Sequence, residues 1–142
     1  MARVYIAGPM RGRPDLNFPA FDRVAALGRS LGWTVISPAD LDRAEGDVTY
    51  LPYNGGSPEI NRGFAKRDTD AILSLRAEDG DAIALLDGWT ESTGAPAEWT
   101  LARWVKLLVL DERFRPIEFS LAAKVFRPPG VLPVHGDWIL LR

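Results

Sequence analysis

The chain has no cysteine, which removes disulfides, thiolate metal sites and cysteine nucleophiles together. Histidine is almost as scarce. His135 is the only one, and with no partner pattern around it, it reads as a structural residue; neither a metal nor a cofactor is expected. No apolar run approaches the roughly 20 residues of a membrane span. The first residues run straight into a strand without a secretory pattern. A cytoplasmic location and no membrane partner are therefore the expectation. Basic charge is not in excess either: 17 Lys and Arg face 19 Asp and Glu, a net charge of −2. A nucleic-acid binder needs a basic face, so nucleic acid is not an expected partner. Three catalytic motifs are also missing. There is no Gly-Lys-Ser/Thr of a Walker loop, and Gly8-Pro9-Met10-Arg11-Gly12 lacks the third glycine of a dinucleotide fingerprint. No Gly-Xaa-Ser-Xaa-Gly nucleophile elbow occurs.

What is present is ordinary in bulk and informative in order. With 142 residues, 46% apolar and 25% charged, the chain is expected to form one domain with a single well-buried core. Residues 3–8 read as a short buried strand ended by Gly8-Pro9. Phe18, Phe21, Val24, Ala25, Leu27, Gly28 and Leu31 recur at helical spacing, which predicts a helix over 19–31 stopped by Gly32. Residues 34–37 are a second strand. Residues 41–57 show no clear period and read as a long excursion, the kind of loop that often binds or covers a ligand. A helix follows over 58–76, a strand over 81–87, a helix over about 96–106 and a strand over 107–110. This alternation predicts an α/β fold: a single-domain, flavodoxin- or Rossmann-like, doubly wound parallel sheet of four to five strands with helices on both faces. The core spans about 1–112, and 113–142 is a C-terminal extension. Within that extension a short helix over 120–126 and a strand or hairpin over 131–141 are expected.

The chemistry-bearing residues gather where open α/β sheets bind ligands, at the carboxyl edge of the strands. After the third strand stand Ser92-Thr93-Gly94-Ala95-Pro96-Ala97-Glu98. After the first stand Gly8 to Gly12. Each of these residues also has an ordinary structural use. A first-turn glutamate such as Glu98 complements a helix dipole, Ser92 and Thr93 can be helix caps, and Tyr5 within a strand is more often core than catalyst. Asp70 with Lys66 or Arg67 reads as a solvated surface charge. The tryptophans are mostly core or interface residues, although Trp89, on the site loop, can stack on a base. The joint placement of the two loops favours a carboxylate aimed at a small, phosphorylated molecule.

On these residues the chain resembles the nucleoside 2-deoxyribosyltransferase superfamily, and within it the nucleotide N-glycosidases acting on nucleoside 5′-monophosphates, along with uncharacterised phage-type relatives. The matching pieces are Tyr5-Ile6-Ala7-Gly8-Pro9-Met10-Arg11-Gly12, Arg67-Asp68, Asp81-Ala82-Ile83 and Ser92-Xaa-Gly94-Xaa-Xaa-Xaa-Glu98, in order over roughly the first 110 residues. The resemblance implies that Glu98 is a nucleophile forming a covalent glycosyl-enzyme and that Tyr5 holds its carboxylate. It implies that Asp68 assists the leaving base. It also implies a substrate-binding set of Gly8, Met10, Arg11, Gly12, Asp87, Trp89, Ser92 and Gly94, with Ser120 reaching the phosphate of a neighbouring subunit in a homodimer or higher oligomer. In the transferases the position of Ser92 is acidic and binds a free 5′-hydroxyl. A carboxylate there would repel a phosphate by ~4 kcal/mol at 4 Å and an effective dielectric of 20, so the neutral Ser92 and the nearby Arg11 point to a 5′-monophosphate. The expectation is hydrolysis of the N-glycosidic bond to free base and (deoxy)ribose 5-phosphate. The alternatives are base exchange by a deoxyribosyltransferase and a non-catalytic nucleotide sensor.

Overall fold

A computed structural model of the chain describes residues 2–46 and 57–117, together with the backbone of 119–120 and 125–126. Four parallel strands form its centre: β1 (Arg3–Ala7), β2 (Thr34–Ile36), β3 (Ala82–Leu85) and β4 (Leu108–Asp111), in the spatial order β2-β1-β3-β4. The sheet is parallel because each strand pair is bridged by a helix, and β1 and β3 carry apolar residues on both faces. Val4, Tyr5, Ile6 and Ala7 are all 0% exposed. This is the doubly wound α/β architecture that the strand and helix alternation predicts.

Side chains alternate across the sheet. Tyr5, Ala7, Ile83, Leu85 and Val109 pack beneath α3 (Pro58–Leu73) and α4 (Gly94–Trp104), with Ile72, Trp99 and Ala102 as the facing residues. Ile6 and Leu86 face the other way, against Phe21, Val24 and Ala25 of α1 (Phe18–Ser30) and Ala39 of α2 (Pro38–Glu45). α1 lies close to the sheet because Gly28 has no side chain. A Cβ there would come within 2.5 Å of the Phe114 ring and 3.0 Å of Val35. α3 begins with a conventional cap, Ser57 Oγ accepting from the Ile60 N–H at 3.2 Å, followed by proline in the first turn.

The structure departs from the sequence expectations in two places. The excursion expected over 41–57 begins as a helix, α2. Only Pro38, Ala39 and Asp42 of its eight residues are buried, so its inward face carries a carboxylate and shows no apolar period; residues 47–56 lie outside the described set. The short helix expected over 120–126 is replaced by two extended segments, with Phe119 opposite Phe126 and Ser120 opposite Val125 in an antiparallel pair. Aromatic and β-branched residues at 119, 125 and 126 favour that extended pairing. The strand or hairpin expected over 131–141, and His135, lie outside the described residues. Among the described residues no helix is long and apolar enough to cross a membrane.

Candidate active site

The chain leaves β1 through α1 towards β2 on one side and passes from β3 through α4 to β4 on the other. β1 and β3 are neighbours in the sheet, so their carboxyl ends flank a topological switch point, where a crevice opens. A cleft of about 600 Å³ lies there. Its lining comes from the loop after β1 (Gly8, Met10, Arg11), from α3 (Asn61, Phe64, Arg67, Asp68) and from the approach to and first turns of α4 (Ser92, Gly94, Glu98). Gly8 makes the close packing of the first loop possible. A Cβ on it would meet the Leu86 side chain at 2.6 Å.

Glu98 and Tyr5 form the polar floor. Tyr5, wholly buried in β1, donates its hydroxyl hydrogen bond to Glu98 Oε2. Burial pushes the Glu98 carboxyl from its ordinary 4.5 up to about 8; the Tyr5 bond opposes that rise, Asp68 adds to it and Arg67 opposes it. The Tyr5 phenol is held well above its ordinary range by burial first, then by the charges of Glu98 and Asp68. Gly94 stands one turn before Glu98, and a Cβ there would lie 4.0 Å from Glu98 Oε1.

Asp68 stands in the same cleft on α3. Its Oδ1 accepts from Arg67 Nε at 2.8 Å, while Arg67 Nη1 reaches across to α2, 2.7 Å from Asp42 Oδ1 and 3.3 Å from Glu45 Oε1. Burial pushes Asp68 upward against the pull of Arg67, with Asp42 and Glu45 adding to the rise. Desolvation disfavours the Arg67 charge, yet the bonds to Asp68 and Asp42 outweigh it and keep the guanidinium protonated.

Also lining the cleft, Arg11 Nη1 donates to Asn61 Oδ1 at 2.6 Å, and its guanidinium lies 5.5 Å from the centre of the Phe64 ring. Ser92 Oγ accepts from the Ala95 N–H at 3.1 Å and donates to the Trp89 carbonyl at 3.2 Å. It therefore helps to cap α4 while lining the cleft. Glu91, another lining residue, is matched by Arg13 Nη2 at 2.7 Å.

The family described as a domain of unknown function, DUF4406, matches residues 2–111, more than three quarters of the chain. The chain belongs to the DUF4406 family. No curated protein and no solved structure matches it. The DUF4406 match covers all four sheet strands, α1 to α4 and every described residue of the cleft named above.

Of the residues singled out in the sequence, this DUF4406 chain brings Glu98, Tyr5, Asp68, Gly8, Met10, Arg11, Ser92 and Gly94 to one place. Three others stand elsewhere. Gly12 takes a left-handed turn at φ 78° and is exposed, outside the cleft lining. Asp87 is exposed and receives the cleft from neither side; its backbone N–H donates to Glu112 Oε2 at 3.1 Å. Trp89 is 2% exposed and packs on Trp99 with ring centroids 5.2 Å apart. The short helical turn at Trp89–Glu91 rotates the indole back into the core, where no base can stack on it. The Ser120 side chain lies outside the described residues. Asp70 pairs with Lys66 at 2.5 Å on the exposed side of α3, as its surface reading expects.

Among the lining residues not singled out as site residues are Asp42, Asn61, Phe64 and Thr69. Asn61, Phe64 and Asp68 are three or four apart on α3, and that spacing placed them on one helical face. Asp42 gave no such signal. Among the described residues no group of three or more His, Asp or Glu side chains is arranged to hold a metal ion.

Proposed function

We propose that this protein hydrolyses the N-glycosidic bond of a nucleoside or deoxynucleoside 5′-monophosphate. The observation that carries the reading is the Glu98 carboxyl, bonded by the buried Tyr5 hydroxyl at the floor of a cleft that also holds Asp68 and Arg11. A carboxyl turned onto a buried tyrosine hydroxyl at a cleft floor, with its proton held up by burial, is the arrangement expected of a reacting group rather than of a solvated helix-dipole partner.

The chemistry follows from that arrangement. Breaking the bond between the sugar and the base develops positive charge at the anomeric carbon, which an adjacent carboxylate stabilises and traps. In the first step a Glu98 oxygen bonds to the anomeric carbon, the carbon–nitrogen bond breaks, and its electron pair leaves with the base. A proton from Asp68 goes to the base, making it the better leaving group. In the second step water attacks the same carbon as it gives a proton to the Asp68 carboxylate, the ester bond to Glu98 breaks, and sugar 5-phosphate departs with the Glu98 carboxylate and the Asp68 acid both restored. Tyr5 serves both steps by donating to the oxygen that stays outside the bond.

The 5′-phosphate is assigned to Arg11 and Ser92, which line the same cleft as Glu98. Arg11 supplies charge, and Ser92 supplies a hydroxyl that can turn from the Trp89 carbonyl to an anion. The amides at the start of α4 add further donors. A homodimer completing the site is part of the proposal. Trp104 at the end of α4, a large apolar side chain 82% exposed, supports it.

A chromatographic panel of canonical and modified nucleoside 5′-monophosphates tests the reading, with Glu98→Gln as control. Free base and sugar phosphate in equal amounts from the wild type, and none from the variant, is the expected result. Base exchange with an added free base, without sugar phosphate release, would replace hydrolysis with transfer. No turnover of any member would leave a nucleotide-binding module.

A further inference from the structure

The mechanism uses Asp68 as an acid although an arginine lies 2.8 Å from it. An arginine at that distance ordinarily converts a carboxyl into a permanent carboxylate, unable to donate a proton. The answer lies on α2. Asp42 is 3% exposed, is not used in either chemical step, and stands 2.7 Å from the terminal nitrogen of the same arginine. Glu45, at 3.3 Å, shares that nitrogen from the solvent side. The guanidinium is thus gripped along two edges, by α2 on one and by Asp68 on the other, with the Phe64 ring 5.1 Å from its centre.

We propose that Asp42 and Arg67 are a positioning pair: Asp42 anchors the guanidinium from α2 so that its Nε edge fixes the Asp68 carboxyl in the cleft, and Asp42 balances the arginine charge so that Asp68 can still carry a proton. This rests on the hydrolytic reading above and names the residues that would tune its acid. A buried carboxylate paired to arginine and left out of the chemistry costs stability unless every bond is made. Here the pair sits where its charge acts on a reacting group.

The charges facing Asp68 set the direction of the effect. From β1 there is Tyr5, from α4 Glu98, from α2 Asp42 and Glu45, and on α3 itself Arg67; Arg11, from the loop after β1, acts on Asp42. Asp42→Asn keeps the shape and removes one negative charge. Arg67 then acts undivided on Asp68 and Glu98, and both carboxyls give up their protons at lower pH.

The test has two readouts on the full-length protein. The first is the titration of Asp68, followed by carbon-13 NMR of aspartate-labelled wild type, Asp42→Asn and Glu45→Gln, with Asp68→Asn to assign the signal. It needs no turnover, so it stands even if no nucleotide is cleaved. The expected result is a midpoint moved to lower pH in Asp42→Asn, and in the same direction but less in Glu45→Gln, whose exposed side chain makes it safe for folding. The second is the pH profile of base release. Both limbs should move to lower pH: the rate falls about 10-fold on the alkaline side, where Asp68 has lost its proton early, and rises on the acid side, where Glu98 ionises early, with KM within about 2-fold. An Asp68 midpoint that stays or rises in both variants overturns the inference. So does a rate lowered equally at every pH, which is the mark of a merely structural pair. Wild-type protein that cleaves nothing while the NMR midpoints move as expected would sink the hydrolytic reading and leave the charge division intact.

Discussion

Replacing Tyr5 with phenylalanine isolates the one bond that prepares Glu98. The ring keeps its place in the core, since Tyr5 is 0% exposed and only the hydroxyl is removed. Of the influences on Glu98, the Tyr5 bond is the largest that favours the ionised form. A hydrogen bond to a charged group contributes about 1.5–3 kcal/mol, and each pH unit of titration is worth about 1.4 kcal/mol, so the Glu98 midpoint should rise by about one to two pH units. In the wild type, with a midpoint of about 8, roughly a tenth of the molecules carry the carboxylate at pH 7. In Tyr5→Phe that fraction falls to about a hundredth or less, and kcat/KM at pH 7 falls about 10- to 100-fold with it. The assay is kcat/KM for base release between pH 6 and 10, alongside the carbon-13 titration of the Glu98 carboxyl. The deficit relative to the wild type should shrink as pH rises and Glu98 ionises in both proteins, before loss of the Asp68 proton lowers both alike. A midpoint that stays put or drops, or a loss of the same size at every pH, would refute the reasoning.

Further outcomes follow from the same structure. Glu98→Gln should raise the melting temperature above pH 8 and leave it unchanged near pH 4. The folded-state pKa lies above the unfolded one, so the stability that the protonated carboxyl contributes is complete below 4.5 and is lost as pH rises through about 8, up to about 5 kcal/mol at the alkaline limit. Asp81 behaves in the opposite sense. It accepts from the Arg3 and Arg76 N–H groups, both at 2.8 Å; burial opposes its charge, but these bonds win and hold it below the usual range. Its contribution is present above the unfolded carboxylate pKa and is lost in acid as pH falls through the lowered value. Asp81→Ala should cost about 1–3 kcal/mol in urea unfolding at pH 7, because two partly buried N–H groups lose their acceptor, and the gap to wild type should narrow towards pH 2. Gly8→Ala should lower stability by about 1–3 kcal/mol, since the new methyl overlaps Leu86, and an unchanged melting temperature would contradict that packing.

Much of this molecule was legible from local patterns, and the parts that were not share a cause. β1, β3, α1, α3 and α4 carry runs or periods of apolar residues that are buried as written, so their order dictated the parallel sheet and its switch point. The pairing of Tyr5 with Glu98, 93 residues apart, was legible only through the resemblance of short motifs. α2 escaped because its buried face is Pro38, Ala39 and Asp42; a charged residue turned inward leaves no hydrophobic period. Arg67 and Asp42 pair across 25 residues, and no spacing rule within one helix reports a partner on another. Trp89 was misplaced for a different reason. A single helical turn at Trp89–Glu91 decides whether its indole faces ligand or core, and turn geometry at that scale is not encoded in periodicity.

Trapping the sugar on the enzyme tests the central claim most directly. The protein would be quenched in acid during turnover of a nucleoside 5′-monophosphate from the panel, digested with protease, and mapped by mass spectrometry. The account predicts a sugar-phosphate ester on Glu98, absent from Glu98→Gln and enriched when the second step is slowed by a 2′-fluoro sugar. Base release that proceeds with no adduct on Glu98, or an adduct on another residue, would contradict it.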